Sequence, residues 1–325
     1  MSSEPVVGHE DARRAILAAL ERDQLPHALL ITGEGGIGKR DFATWLLSAR
    51  WCEGEQRPCG SCRPCRLIES GNHPDLIVVV RDPDSDQDPE ELGSRFEITV
   101  KQIRRSIVAA LGTKPVEGRG RGVIIEGADE MNVAAQNALL KTLEEPPAGC
   151  VLLLVSAHPD ALLDTVRSRC QELRLSPHDD AAMCKLAPEA DPARLALARG
   201  RPGRLAELAA LDVAALDMAL DDVLEDRLSG TGFAREVGEL VASSLDGGDD
   251  ADSESRHRLT ADVMLSRVAD LARRGVLPDG AAEAALMGVA ADLRRHVPPS
   301  VAWTAVGLDL AAIHVVGAVG ELRNP

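Results

Sequence analysis

Five short apolar runs punctuate the first half of the chain: ALLIT (28–32), LIVVV (76–80), GVIIEG (122–127), VLLLVS (151–156) and QELRL (171–175). They are near-continuously apolar, as parallel strands buried on both faces should be. Between them the period becomes helical. DFATWLLSARW (41–51) follows a glycine-rich loop, and in VKQIRRSIVAAL (100–111) Ile103, Ile107 and Leu111 recur at every fourth position. NVAAQNALLKTLEE (132–145) stops at Pro146 and Pro147, which cannot continue a helix. Strand and helix in alternation predict a doubly wound α/β domain over residues 1–176.

Beyond LSPHDD the strand pattern does not return. Residues 177–209 read as a small helical domain of short helices around the turn GRPG (200–203), and residues 210–325 as a C-terminal helical domain. In the latter, Leu216, Leu220, Val223 and Leu224 share one helical face, as do Phe233, Val237, Leu240 and Val241. DGGDDADSES (246–255) reads as an acidic loop; Leu259 and Val263, then Leu286, Val289 and Leu293, mark later helices.

Composition narrows the functional classes. The 325 residues carry a formal charge of −16, three Phe and no Tyr. Without a basic run or an aromatic platform, strong binding of nucleic acid by this chain alone is not expected. No run reaches the ~18 apolar residues a membrane span needs. The N-terminus has no basic segment leading into an apolar one, so a cytoplasmic protein without a signal peptide is expected.

ITGEGGIGKR (31–40) lies between the first strand and the following helix, where backbone N–H groups and a helix N-terminus can cradle phosphates. Gly33, Gly35, Gly36, Gly38 and Lys39 supply the loop. The hydroxyl that would ligate Mg²⁺ is replaced by Arg40, which cannot hold a cation. In a nucleotide-hydrolysing site the strand GVIIEG would end in a metal-side Asp and then a water-activating Glu; this chain has Glu126 and Gly127. Asp129 and Glu130 follow, placed to complement the start of the next helix. Two separate parts of a hydrolytic site are thus altered.

Cys52, Cys59, Cys62 and Cys65 are spaced C-x6-C-x2-C-x2-C, with Gly60 easing the turn. Four thiolates so spaced suit tetrahedral Zn²⁺; a [4Fe–4S] cluster needs the same four residues. Disulfides do not suit a cytosolic chain. Cys150, Cys170 and Cys184 stand alone and read as packed thiols, and His73 and His158 each precede Pro in loop-like contexts.

QNALLKTLEEPP (136–147) followed by TVRSRC (165–170), together with the glycine loop and the cysteine cluster, resembles the delta-prime family of bacterial DNA polymerase III clamp-loader subunits. The specific motifs cover residues 1 to about 210; the C-terminal third matches only in helical character. The resemblance implies an AAA+ P-loop type domain with a zinc-binding insertion at 52–65, a lid at 177–209 and an oligomerisation collar at 210–325. It implies structural zinc at the four cysteines and no intrinsic activity, any polymerase activity belonging to the complex. Arg169 of the Ser168-Arg169-Cys170 motif would act as an arginine finger on a neighbour's ATP. Expected partners are the gamma/tau motor subunit and the delta subunit in a hetero-pentamer, primer–template DNA through the complex, and the sliding clamp mainly indirectly. Ser156 falls where working relatives sense phosphate, and Arg204 is one residue out of register with their nucleotide-facing arginine. Two rivals remain: an active ATPase in which Asp129 or Glu130 replaces the lost Glu, and a DNA-binding cysteine module using Arg57, Arg63 and Arg66.

Overall fold

A computed structural model describes residues 8–81, 97–117, 119–225, 227–244, 250–274, 284, 286–288 and 299–312. The chain divides into two compact units, residues 1–189 with 199–203 and residues 190–198 with 204–325. The stretch 177–209 is shared between them.

The first unit is built on a five-stranded parallel sheet in the order β2-β3-β4-β1-β5. Its strands are β1 (Ala28–Thr32), β2 (Leu76–Val79), β3 (Gly122–Glu126), β4 (Val151–Ser156) and β5 (Gln171–Arg174). The central strands β1, β3 and β4 are buried almost throughout, whereas the edge strands β2 and β5 are half open. LIVVV and QELRL were both expected among the strands buried on both faces; as edge strands, β2 leaves Val78 exposed and β5 keeps its polar side chains in solvent.

Alternate residues of the central strands feed two cores. Leu29, Ile31, Ile124 and Leu153 pack with Ile16 of α1 (Glu10–Glu21) and with Phe42, Leu46 and Trp51 of α2 (Lys39–Trp51). Leu30, Val123, Ile125 and Leu152 pack with Ile103 of α4 (Val100–Ile103) and with Leu139 and Leu143 of α6 (Val133–Glu144). A π-helical turn, Arg104–Val108, carries α4 into α5 (Ala109–Leu111). α3 (Arg63–Glu69) precedes β2, and α7 (Asp164–Arg167) precedes β5.

Caps set several helix starts. Thr99 and Gln102 form a reciprocal capping box at α4, and the Asn132 side chain accepts from Ala135 N at 2.9 Å at the start of α6. Asp179 does the same for α8 (Asp180–Leu186), accepting from Ala182 N at 2.7 Å.

The described residues of the second unit form helices joined by turns, with no strand among them: α9 (Pro192–Ala198), α10 (Pro202–Ala209, from Arg204 on), α11 (Val213–Leu224), α12 (Gly230–Ser243), α13 (Asp250–Arg273) and α14 (Pro299–Ala311). Leu216, Leu220, Phe233, Val237, Val268 and Trp303 meet in one core. α12 and α14 touch backbone to backbone at Gly230 and Gly307; a Cβ on Gly230 would lie 2.6 Å from Gly307 C. The segment expected to be an acidic loop is helical from Asp250 onward, the first turns of α13. Positions 246–249, Val289 and Leu293 lie outside the described residues. Among the described residues no helix is long and apolar enough to cross a membrane.

Candidate functional site

The glycine loop joins β1 to α2 with Gly33, Gly36 and Gly38 at positive φ (143°, 77° and 89°). That backbone curls around a cavity of about 640 Å³ whose wall includes Gly36 to Asp41, Glu126, Gly127 and Asp129. The glycine loop therefore forms a concave feature, and its side chains are engaged within the chain. Lys39 Nζ donates to Gly33 O at 2.7 Å and to Glu34 O at 2.6 Å, folded back onto its own loop. Burial pushes its pKa down, with the charges of Asp129 and Glu34 opposing that.

Arg40 faces the end of β3. Its Nη1 lies 3.0 Å from Glu126 Oε2, an ion pair whose alignment falls short of a hydrogen bond, so Glu126 Oε2 is buried without a hydrogen-bond partner. Gly127 follows at φ 66°, a left-handed turn that favours glycine. A Cβ there would sit 3.0 to 3.2 Å from the Glu130 carboxyl group. Asp129 Oδ1 accepts from Ala157 N at 3.3 Å, which ties the 3₁₀ turn Ala128–Glu130 to the end of β4. Burial raises the Glu130 pKa, and Arg81 at 3.9 Å pulls against that rise. Ser156 is buried with its hydroxyl unpartnered.

Sequence reading passed over two histidines here. His9 and His178 each place Nε2 on the same carbonyl, Ile37 O, at 2.9 and 3.2 Å, with ring centroids 4.4 Å apart. Both nitrogens face a carbonyl, so both carry the proton. Burial lowers the His9 pKa. Gly203 N donates to Gly36 O at 2.8 Å, and Arg201 lies 3.4 Å from Glu34. Arg201, not Arg204, thus reaches the loop. Arg204 is buried in the second unit against Asp262 of α13 at 2.7 Å. The signal available in the sequence was only the repeated arginine of GRPGR, which does not say which of the two turns inward.

Arg169 emerges just after α7. Its Nε and Nη2 donate to Glu144 Oε1 at 2.9 and 2.5 Å, and its Nη1 donates to Thr165 O at 2.9 Å. Glu144 is the last residue of α6, so the two motifs quoted from the sequence meet in space. Gln136, two turns earlier on α6, accepts from Leu163 N at 2.7 Å and donates to Met131 O at 3.0 Å. It fixes the turn that leads into α7. An ion pair as open as Arg169–Glu144 is worth roughly 0–1 kcal/mol, too little to explain the arrangement by stability.

The four clustered cysteines close a loop between α2 and α3. Their sulfurs all lie within 4.8 Å of one another. A Zn–S bond of about 2.3 Å in a tetrahedron sets sulfurs about 3.8 Å apart, so the set fits with a small contraction. Backbone N–H groups already point at the sulfurs: Gly54 N and Cys59 N at Cys52 Sγ, and Cys62 N at Cys59 Sγ, all at 3.3 Å. The Ser61 hydroxyl and the Cys62 and Ser61 N–H groups hold the Cys59 thiol down to about 5, whereas burial pushes Cys65 up to about 12. Donors aimed at sulfur are what metal-bound thiolates require. Arg63 in this loop is taken up by Glu117 at 2.9 Å, which leaves the rival DNA-binding reading one base short.

Cys150 and Cys170 are packed thiols, each pushed up to about 11 by burial. Cys184 is exposed, contrary to expectation, because α8 turns it outward while Met183 is buried. His73 is buried and stacks on Trp51 with centroids 4.3 Å apart, and its Nδ1 accepts from Asp75 N in the turn into β2.

The family model described as "DNA polymerase III, delta subunit" matches residues 8–179. The chain is 40% identical over 160 residues to DNA polymerase III subunit delta' of Bacillus subtilis (strain 168), which covers 49% of this chain and 45% of that one. It is 42% identical over 154 residues to DNA polymerase III subunit delta' of Pseudomonas aeruginosa, covering 46% and 43% respectively. The matched stretch therefore spans less than half the length of these curated relatives. Among solved structures it is similar to a DNA polymerase III gamma subunit-related protein from Thermotoga maritima, with a TM-score of 0.54 and 16% identity over 92% of this chain and 98% of that one. At that identity the likeness concerns the fold alone.

Proposed function

The chain belongs to the delta-prime family of DNA polymerase III clamp-loader subunits, with an AAA+ α/β domain and a mostly helical C-terminal region, and from that premise we propose that it is a non-hydrolysing arm of the loader. In this reading it has no ATPase activity of its own and presents Arg169 to ATP bound by the neighbouring gamma/tau motor subunit. Phosphoryl transfer accumulates negative charge on the γ-phosphate oxygens, and a guanidinium supplied from outside is worth roughly 10³–10⁵ in rate. Residues 210–325 would join a collar with gamma/tau and delta, residues 177–209 would be the remnant of a nucleotide lid, and DNA and clamp would be engaged by the assembled complex. Zinc at Cys52, Cys59, Cys62 and Cys65 would be structural, since all four ligand positions are protein thiols.

One observation carries the non-hydrolytic reading: the Arg40–Glu126 ion pair at 3.0 Å. A guanidinium on the carboxylate at the metal side of the site repels Mg²⁺ and occupies the acid that would organise its water. Gly127 next to it offers no base. Lys39 would have to exchange two loop carbonyls for phosphate before any nucleotide could be gripped.

The test is ATP turnover by the purified chain with Mg²⁺, compared with Lys39→Ala. We expect both to be indistinguishable from buffer. Turnover that disappears in Lys39→Ala would mean the chain is itself a motor.

A further inference from the structure

The contacts of Arg169 point to a second residue in the same function. We propose that Glu144 is a positioning residue that sets the Arg169 guanidinium for a phosphate oxyanion on the adjoining subunit; the proposal rests on the reading of Arg169 given above. Glu144 takes one edge of the guanidinium, accepting from Nε and Nη2 through a single oxygen at 2.9 and 2.5 Å. Thr165 O takes one Nη1 proton at 2.9 Å, and Ser168 Oγ lies at the limit of contact with Nη1 at 3.5 Å. Of the five N–H groups, one on Nη2 remains, and the second on Nη1 has only the weak 3.5 Å contact to Ser168 Oγ; both lie at the end of the side chain away from Cδ. That pair of nitrogens is the fork that grips an oxyanion in a bidentate manner.

The placement is held from both sides. The Glu144 backbone is set by α6, which it closes directly before Glu145, Pro146 and Pro147. Eight residues earlier on the same helix, Gln136 accepts from Leu163 N at 2.7 Å and anchors the start of the turn that carries Arg169. α6 therefore grips the segment 163–169 at its beginning through Gln136 and at its end through Glu144. A long flexible arginine is converted into one with a fixed direction. Fixing the direction matters because misplacement of a reacting group by about 1 Å can cost about a hundredfold in rate.

The experiment is steady-state ATP turnover of the reconstituted clamp loader on primed DNA, with this chain as wild type, Glu144→Ala, Glu144→Gln, Arg169→Ala or the double variant. Glu144→Ala should lower kcat between about tenfold and about a hundredfold with KM for ATP changed less than about twofold. Glu144→Gln, which keeps an acceptor for Nε and Nη2, should recover part of that loss. In the Arg169→Ala background the Glu144 change should cost nothing further, because the residue it aims is gone.

If Arg169→Ala lowers turnover and neither Glu144 variant does, the positioning role is wrong while the finger stands. If Arg169→Ala itself leaves turnover unchanged, both readings fall. A Glu144 effect that persists in the Arg169→Ala background, or that follows loss of assembly in Glu144→Gln as well, assigns Glu144 to structure alone.

Discussion

Arg40 and Gly127 show what a residue's identity tells and what only its surroundings tell. That Arg40 cannot ligate Mg²⁺ follows from its chemistry; that it lies 3.0 Å from Glu126 needs the fold, because β3 comes from a segment some 86 positions later. Arg169 and Glu144 were both inside motifs noticed in the sequence, yet nothing in their spacing of 25 residues predicts that they meet. His257 gives a residue-scale prediction in the second unit. It is buried, and Trp303 Nε1 donates to its Nδ1 at 3.0 Å, so that nitrogen must be unprotonated. Burial holds its pKa below the ordinary 6.5. The unfolded chain therefore takes up a proton before the folded one does, so the stability contributed by neutral His257 is full above 6.5 and is lost as pH falls below it. His9 and His73, also lowered by burial, act with the same sign in the first unit. Melting temperature should fall between about pH 7.5 and about pH 5.5, and His257→Asn, which retains an acceptor in the place of Nδ1, should flatten part of that slope. An unchanged slope in the variant would remove His257 from the account.

At the scale of elements, the strands were readable because central parallel strands leave few choices of side chain. The exceptions are the two edge strands, whose neighbour on only one side leaves Val78 of β2 and most of QELR in β5 exposed. The start of α13 was misread because DADSES is acidic and polar; charge alone does not separate a loop from a helix. The clustering of the four cysteines, which is compatible with a metal site, was readable from their local spacing, but the N–H and hydroxyl donors around the sulfurs were not. Those donors lead to a prediction about the element as a whole. Metal analysis of the purified chain should find one zinc per chain and no iron or acid-labile sulfide. Removing the zinc with a chelator, or replacing Cys59 by Ser, should loosen the Cys52–Cys65 loop while leaving the sheet folded, because α2 and α3 also pack into the apolar core through Trp51 and Ile68. The expected signature is a lowering of the melting temperature by several degrees, each ~1 kcal/mol being worth ~2–4 °C for a domain of this size. Iron in the metal analysis would replace zinc with a cluster; complete unfolding on chelation would show that the core cannot stand without it.

The whole molecule carries a charge of −16, and several of the described arginines are paired with carboxylates within the chain. Arg40 pairs with Glu126, Arg63 with Glu117, Arg119 with Glu53, Arg169 with Glu144 and Arg204 with Asp262. A guanidinium already matched to a carboxylate releases no counterion when it approaches a phosphate unless that pair first breaks, so it contributes little to the electrostatic term that drives DNA binding. The remaining acidity repels the duplex at long range, within a Debye length of ~8 Å at physiological salt. On the proposed reading, engagement with primer–template DNA would belong to the assembly, with other chains supplying the positive surface. Fluorescence anisotropy with a labelled primer–template should accordingly show no saturable binding by the isolated chain up to about 10⁻⁴ M at about 0.15 M salt, the weak limit of non-specific binding. Lowering the salt tenfold should change that little, because few phosphates would be neutralised. Micromolar binding with a steep salt dependence would mean that a basic surface is organised on this chain after all. Loss of that binding on charge reversal at Arg57, Arg63 and Arg66 would then place it on the cysteine loop and revive the DNA-binding reading of that element.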